Sequence, residues 1–166
     1  MKNVFIIVAG ILLFVGITYG VFVLSDSQSS TTAIKRYKKN EKQKPKVIVV
    51  GNLLKSLKKM KVSDTKSAKF TIKNVGAAPL QLYESTTSCN CAFGQVLMDN
   101  YESDIFGMHA PQKTPISVAP GATAQIVVTY KPYIMPVYGK IQRYAIIRTN
   151  DPVKPELTFT VEAIVI

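Results

Sequence analysis

Ala68-Lys69-Phe70-Thr71-Ile72-Lys73-Asn74-Val75-Gly76-Ala77-Ala78-Pro79-Leu80 is the stretch that decides the fold. Ala68, Phe70 and Ile72 alternate with Lys69, Thr71 and Lys73, and a period of two puts the apolar set on one side of an extended chain. Asn74 to Pro79 carries turn chemistry, and Leu80 to Tyr83 restarts extended structure, so the whole reads as two strands joined by a turn.

The same pattern extends outward. Val47-Ile48-Val49-Val50 reads as a short strand before it. After it, Pro120-Gly121 precedes Thr123 to Lys131, in which Ile126, Val128 and Tyr130 share a side. Gly139 precedes a strand from Lys140 to Arg148. Thr149-Asn150-Asp151-Pro152 turns the chain into Leu157 to Glu162, again alternating. Six or seven short strands with little helix between them imply an all-β fold, an immunoglobulin-like antiparallel β-sandwich over residues 47–166. One segment breaks the rhythm. Leu53, Leu54, Leu57 and Met60 are spaced like a helix face among Lys55, Lys58, Lys59 and Lys61. It reads either as a basic amphipathic helix for anionic lipid or as an irregular edge element capping the sandwich, and its shortness favours the second.

The N-terminal part is of another kind. From Val4 to Leu24 there is no charged residue, and such a length of helix at ~1.5 Å rise per residue spans roughly 30 Å of hydrocarbon. That exceeds the apolar core of a cleavable signal peptide, and no Ala-x-Ala site follows, so residues 1–24 are expected to be an uncleaved transmembrane signal anchor. Residues 25–46, rich in Ser, Thr, Lys and Gln, bury too little to offset ordering entropy and read as a basic, flexible linker. The net charge of +11 is uneven, since 14 of the 21 Lys and Arg fall between Lys35 and Lys73. A basic recognition motif on a folded surface is not present, so nucleic acid is not an expected partner. Lys35, Arg36, Lys38, Lys39 and Lys42 by themselves favour a cytoplasmic C-terminal side.

Phe70 to Gly76, Pro79-Leu80, Thr87-Ser88-Cys89-Asn90-Cys91, Ala119-Pro120-Gly121 and Thr149 to Pro152, taken in order, resemble the DUF1573 family. The resemblance covers about residues 67–166. Asn90 departs from the glycine usual between the two cysteines in that family. What the resemblance implies is an immunoglobulin-like, exported bacterial domain without established catalytic activity. It therefore implies a single-pass protein of the bacterial cytoplasmic membrane with its C-terminal domain outside, against the charge count. The stretch from Ala92 to Thr114 is longer than a compact connection and is expected to be an inserted loop.

Cys89 and Cys91 are the two cysteines, and the single histidine, His109, follows beside Met108. Thiolate, thioether and imidazole suit soft copper, so Cu(I) is the metal expected if Cys89, Cys91, Met108 and His109 form a site. Zinc would want a fourth Cys, His or carboxylate, with Asp99, Glu102 or Asp104 in reach of the sequence. Two other readings stand beside this: a disulfide or thiol-redox pair, and small buried apolar side chains. No triad order and no phosphate-cradling glycine loop is present, so an enzyme is not expected. The sequence thus points to a membrane-tethered binding or scaffold domain contacting another envelope protein, with copper handling or thiol redox chemistry as alternatives.

Overall fold

A computed structural model describes residues 33–166. The expected transmembrane segment, residues 4–24, and the first part of the expected linker lie outside them. Among the described residues no helix is long and apolar enough to cross a membrane.

Ten strands follow one another: β1 (Val47–Val50), β2 (Leu54–Met60), β3 (Lys66–Asn74), β4 (Leu80–Thr87), β5 (Ala92–Met98), β6 (Tyr101–Glu102), β7 (Ile116–Val118), β8 (Thr123–Tyr130), β9 (Gly139–Thr149) and β10 (Glu156–Val165). They form two five-stranded sheets, β1-β3-β8-β5-β6 and β2-β10-β9-β4-β7, which make a β-sandwich. The alternation in β3 does what the pattern requires, burying Ala68, Phe70 and Ile72. Phe70 meets Phe159 of β10 across the core, with ring centroids 5.2 Å apart. Full burial of each such ring is worth about 1.5–3 kcal/mol.

Three expectations change. The pairing is not wholly antiparallel, because β2 runs parallel to β10. The segment with helix-like spacing is that edge strand, so the favoured edge-element reading holds and the helix does not. Its register slips by one residue between Glu162 and Ala163, so Leu57 and Lys58 oppose a single step of β10. Lys58 there takes φ 62°. The bulge resets the alternation, and Leu57 and Met60, three apart, both turn inward. Next, the expected inserted loop after the cysteines begins with a full strand, β5, hydrogen-bonded to β8. Phe106 then returns to pair with Gly94, and a Cβ at Gly94 would enter the Phe106 ring.

Finally, the compact unit starts at Ile34 rather than Val47. Residues 34–46, read as linker from composition, find backbone partners instead. Val75 N donates to Lys46 O at 2.8 Å and Ala77 N to Lys44 O at 3.0 Å. Gly76 is required because a side chain there would collide with the backbone of residues 44–46. Buried Asn74 fastens the crossing: its amide donates to Ala78 O and Val118 O, and its Oδ1 accepts from Gly76 N and Lys46 N. Asp151 does similar work, its carboxylate accepting from Val47 N and Val153 N, both at 2.8 Å. Burying these polar groups is tolerable because each is satisfied. They gather where β4 begins, and the cysteines lie where it ends.

Candidate functional site

The chain leaves β4 at Thr87 and enters β5 at Ala92, and the turn between them carries both cysteines. Ala92 N donates to Cys89 O at 3.3 Å. Thr87 Oγ1, buried beneath, bonds to Cys89 O at 3.1 Å and Ala92 O at 2.9 Å, fixing the turn from below. Cys89 and Cys91 are joined in a disulfide with their Cα atoms 5.2 Å apart. Cys91 is fully buried, whereas Cys89 keeps 7% of its surface.

Each sulfur has a hydrogen-bond donor. Cys91 N donates to Cys89 Sγ at 3.2 Å. Arg143 Nε donates to Cys91 Sγ at 3.3 Å. Register explains the arginine's position. Thr87 pairs with Ala145 of β9, and the ladder continues past the end of β4, with Ser88 N donating to Tyr144 O and Tyr144 N to Ser88 Oγ. One more antiparallel step sets Cys89 opposite Arg143. The guanidinium also lies 5.8 Å from the ring centroid of Tyr130. Tyr130 is buried and its hydroxyl has no hydrogen-bond partner. Burial pushes its ionisation above the ordinary tyrosine value, and the nearby Arg143 charge offsets part of this.

Lys131 N donates to Cys91 O at 2.8 Å, tying the turn to the connection that follows β8. This connection, residues 132–138, opens with a 3-10 turn, Pro132–Ile134. Tyr133, Ile134, Met135, Val137 and Tyr138 are all exposed, Tyr138 by 68%. An apolar loop of that kind stands out against a surface where exposed large apolar residues are usually scattered.

Of the four residues expected to share a site, Cys89 and Cys91 are together, while Met108 and His109 occupy an exposed turn closed by Gly107 N donating to Ala110 O at 2.9 Å. Thr86 Oγ1 donates to Gly107 O at 3.4 Å, so this turn lies beside the last residues of β4. In the disulfide form the cysteines have no thiolate to offer a soft metal, so Cu(I) ligation by the four would begin with reduction. Among the described residues no three His, Cys, Asp or Glu side chains gather as a metal site. Arg143 and the apolar loop are absent from the sequence reading. Only the strand register, 87 opposite 145, would have brought Arg143 to the cysteines.

No protein-family model matches the chain, and no curated protein matches it. Solved structures do. A protein of unknown function from Porphyromonas gingivalis W83 is 22% identical with TM-score 0.53, over 74% of this chain and 48% of that one. A family 123 glycoside hydrolase from Clostridium perfringens is 10% identical with TM-score 0.51, over 70% of this chain and 23% of that one. The ASH/PapD-like domain 7 of human CEP192 is 12% identical with TM-score 0.47, over 84% and 96%. The chain therefore spans about half the length of the Porphyromonas protein and under a quarter of the hydrolase. The first two likenesses concern the sandwich fold alone.

Proposed function

We propose that this chain is a membrane-anchored, extracytoplasmic binding domain of immunoglobulin-like type, related to the DUF1573 family, that docks another envelope protein through residues 132–138. The observation that carries the reading is the exposed run of Tyr133, Ile134, Met135, Val137 and Tyr138 at one end of the sandwich. Tyrosine and methionine are enriched in protein interfaces, where rigid or adaptable apolar surface is gained at small entropic cost. Pro132 and Pro136 fix φ within the loop, which lowers the ordering cost of docking. Anchoring by residues 4–24 in the bacterial cytoplasmic membrane is supported by the length of that apolar run. The Cys89–Cys91 bond supports the extracytoplasmic side, since disulfides persist where thiols are not kept reduced.

Photo-cross-linking from position 138 in intact membranes tests the reading. A discrete hetero-adduct is expected, and it should vanish when Tyr133 and Met135 are both changed to Ser. Recovery of uncross-linked monomer alone, with the domain folded, would remove this function.

A further inference from the structure

We propose that Cys89–Cys91 is a thiol–disulfide exchange site for a protein dithiol, with Arg143 holding the leaving Cys91 sulfur as a thiolate. The proposal goes beyond docking, and it rests on the arrangement around the two sulfurs. A bond between residues two apart closes a loop containing Asn90 alone. The stabilisation a disulfide brings by restricting the unfolded chain grows with the enclosed loop, so the entropic return here is at its smallest. Staple is therefore a poor description of this bond.

The donors are placed for exchange. A disulfide breaks fastest when the departing sulfur is stabilised as an anion. Arg143 Nε, 3.3 Å from the buried Cys91 Sγ, supplies a positive charge and a hydrogen bond to that sulfur. Cys91 N, 3.2 Å from Cys89 Sγ, supplies a neutral donor to the other. Burial sets the direction, because Cys89 retains some surface and Cys91 retains none.

The chemistry balances without a further reagent. A thiolate of the partner attacks Cys89 Sγ, the Cys89–Cys91 bond breaks, and its electron pair leaves on Cys91 Sγ beside Arg143. The partner's second thiol, its proton released to solvent, attacks the partner sulfur of the mixed disulfide. Cys89 departs as a thiolate, accepting from Cys91 N, and takes up a proton from solvent. Two electrons pass from the partner dithiol, which becomes a disulfide, to the cysteine pair. The apolar loop next to Lys131 lies one hydrogen bond from Cys91 O, where a docked partner would be held close to Cys89.

The test uses the full-length chain in detergent, with dithiothreitol as the dithiol and oxidised glutathione as the disulfide. Reduction by dithiothreitol is followed by alkylation and mass. Arg143→Gln should slow it about tenfold, as expected for loss of one charge-assisted hydrogen bond to the leaving group, and Arg143→Lys should recover part of the rate. Urea unfolding of the same variants separates this from a packing role, because Arg143→Gln should slow reduction even under conditions where the protein stays folded. With oxidised glutathione, Cys91→Ser should accumulate a mixed disulfide at Cys89, while Cys89→Ser should react much more slowly at buried Cys91. Equal reactivity of the two serine variants, or a reduction rate within twofold of wild type for folded Arg143→Gln, would overturn the proposal.

Discussion

Among the described residues, Tyr130 Oη is the one buried side-chain polar atom without a hydrogen-bond partner. Asn74 and Asp151, equally buried, have their polar atoms satisfied by backbone groups. The hydroxyl of Tyr130 therefore brings a desolvation penalty with no return, while its ring is kept by packing and by Arg143 above it. Tyr130→Phe should raise stability at pH 7 by about 1 kcal/mol. Its pH dependence follows from the same burial. Ionisation of Tyr130 is raised above 10.0 in the fold, chiefly by desolvation, so the unfolded chain gives up this proton first. The contribution is complete below pH 10 and is lost as pH climbs through the raised value. Urea midpoints collected from pH 7 to 11.5 should fall less steeply above pH 10 for Tyr130→Phe than for wild type. A destabilised Phe variant at pH 7 would mean that the hydroxyl has a partner after all.

At the scale of an element, β2 is the instructive strand. Leu57 and Met60 share a side because a bulge at Leu57 and Lys58 skips one step of the alternation, and spacing by three is what a helix also produces. Sequence pattern alone cannot separate the two, since the difference lies in the partner strand. The bulge is held by a local contact and by the next strand: Lys58 N donates to Ser56 Oγ at 3.1 Å, and Lys66 Nζ reaches from β3 to Lys59 O at 2.8 Å and Leu57 O at 3.3 Å. Strand β5 was obscured differently. Its inward residues are Ala92, Gly94 and Val96, small because Phe106 lies over Gly94, and small residues make a faint apolar stripe. Strands β3, β8 and β10 were legible because their inward apolar residues alternate with polar or less buried ones, and β1 and β9 because their β-branched residues stand beside turn residues. The cysteine pair was legible for its spacing, but Arg143 was not, as it joins Cys91 through register across 52 positions. The bulge makes a direct prediction. A lysine at φ 62° bears the left-handed penalty that glycine escapes, so Lys58→Gly should stabilise the domain by about 0.5–1 kcal/mol and Lys58→Val should weaken it. Chemical denaturation of the two variants measures this. Equal loss in both would mean that the lysine side chain, rather than its backbone, holds the edge.

For the molecule as a whole, charge and export pull in opposite directions. Lys35, Arg36, Lys38, Lys39 and Lys42 lie within the ~15–20 residues after residue 24 over which basic residues retain a segment in the cytoplasm. That count treats them as a free tract near lipid. From Ile34 onward, however, the chain belongs to the compact unit, with Lys35 N donating to Gln81 Oε1 at 2.8 Å and residues 44–46 bonded along the turn at Gly76. Basic residues that are part of a folded domain weigh less in orientation than those of a short loop, because long segments and domains translocate largely regardless of their charge. The export reading then requires that the basic cluster be passive. Changing Lys35, Arg36, Lys38, Lys39 and Lys42 together to Gln should leave orientation as it is in the parent chain. A reporter that works only outside the cytoplasm, fused after Ile166, should be active in both. Activity gained on neutralisation alone would mean that the cluster had been retaining the domain inside. A reporter silent in both would place the domain in the cytoplasm and remove the oxidising surroundings on which the Cys89–Cys91 bond depends.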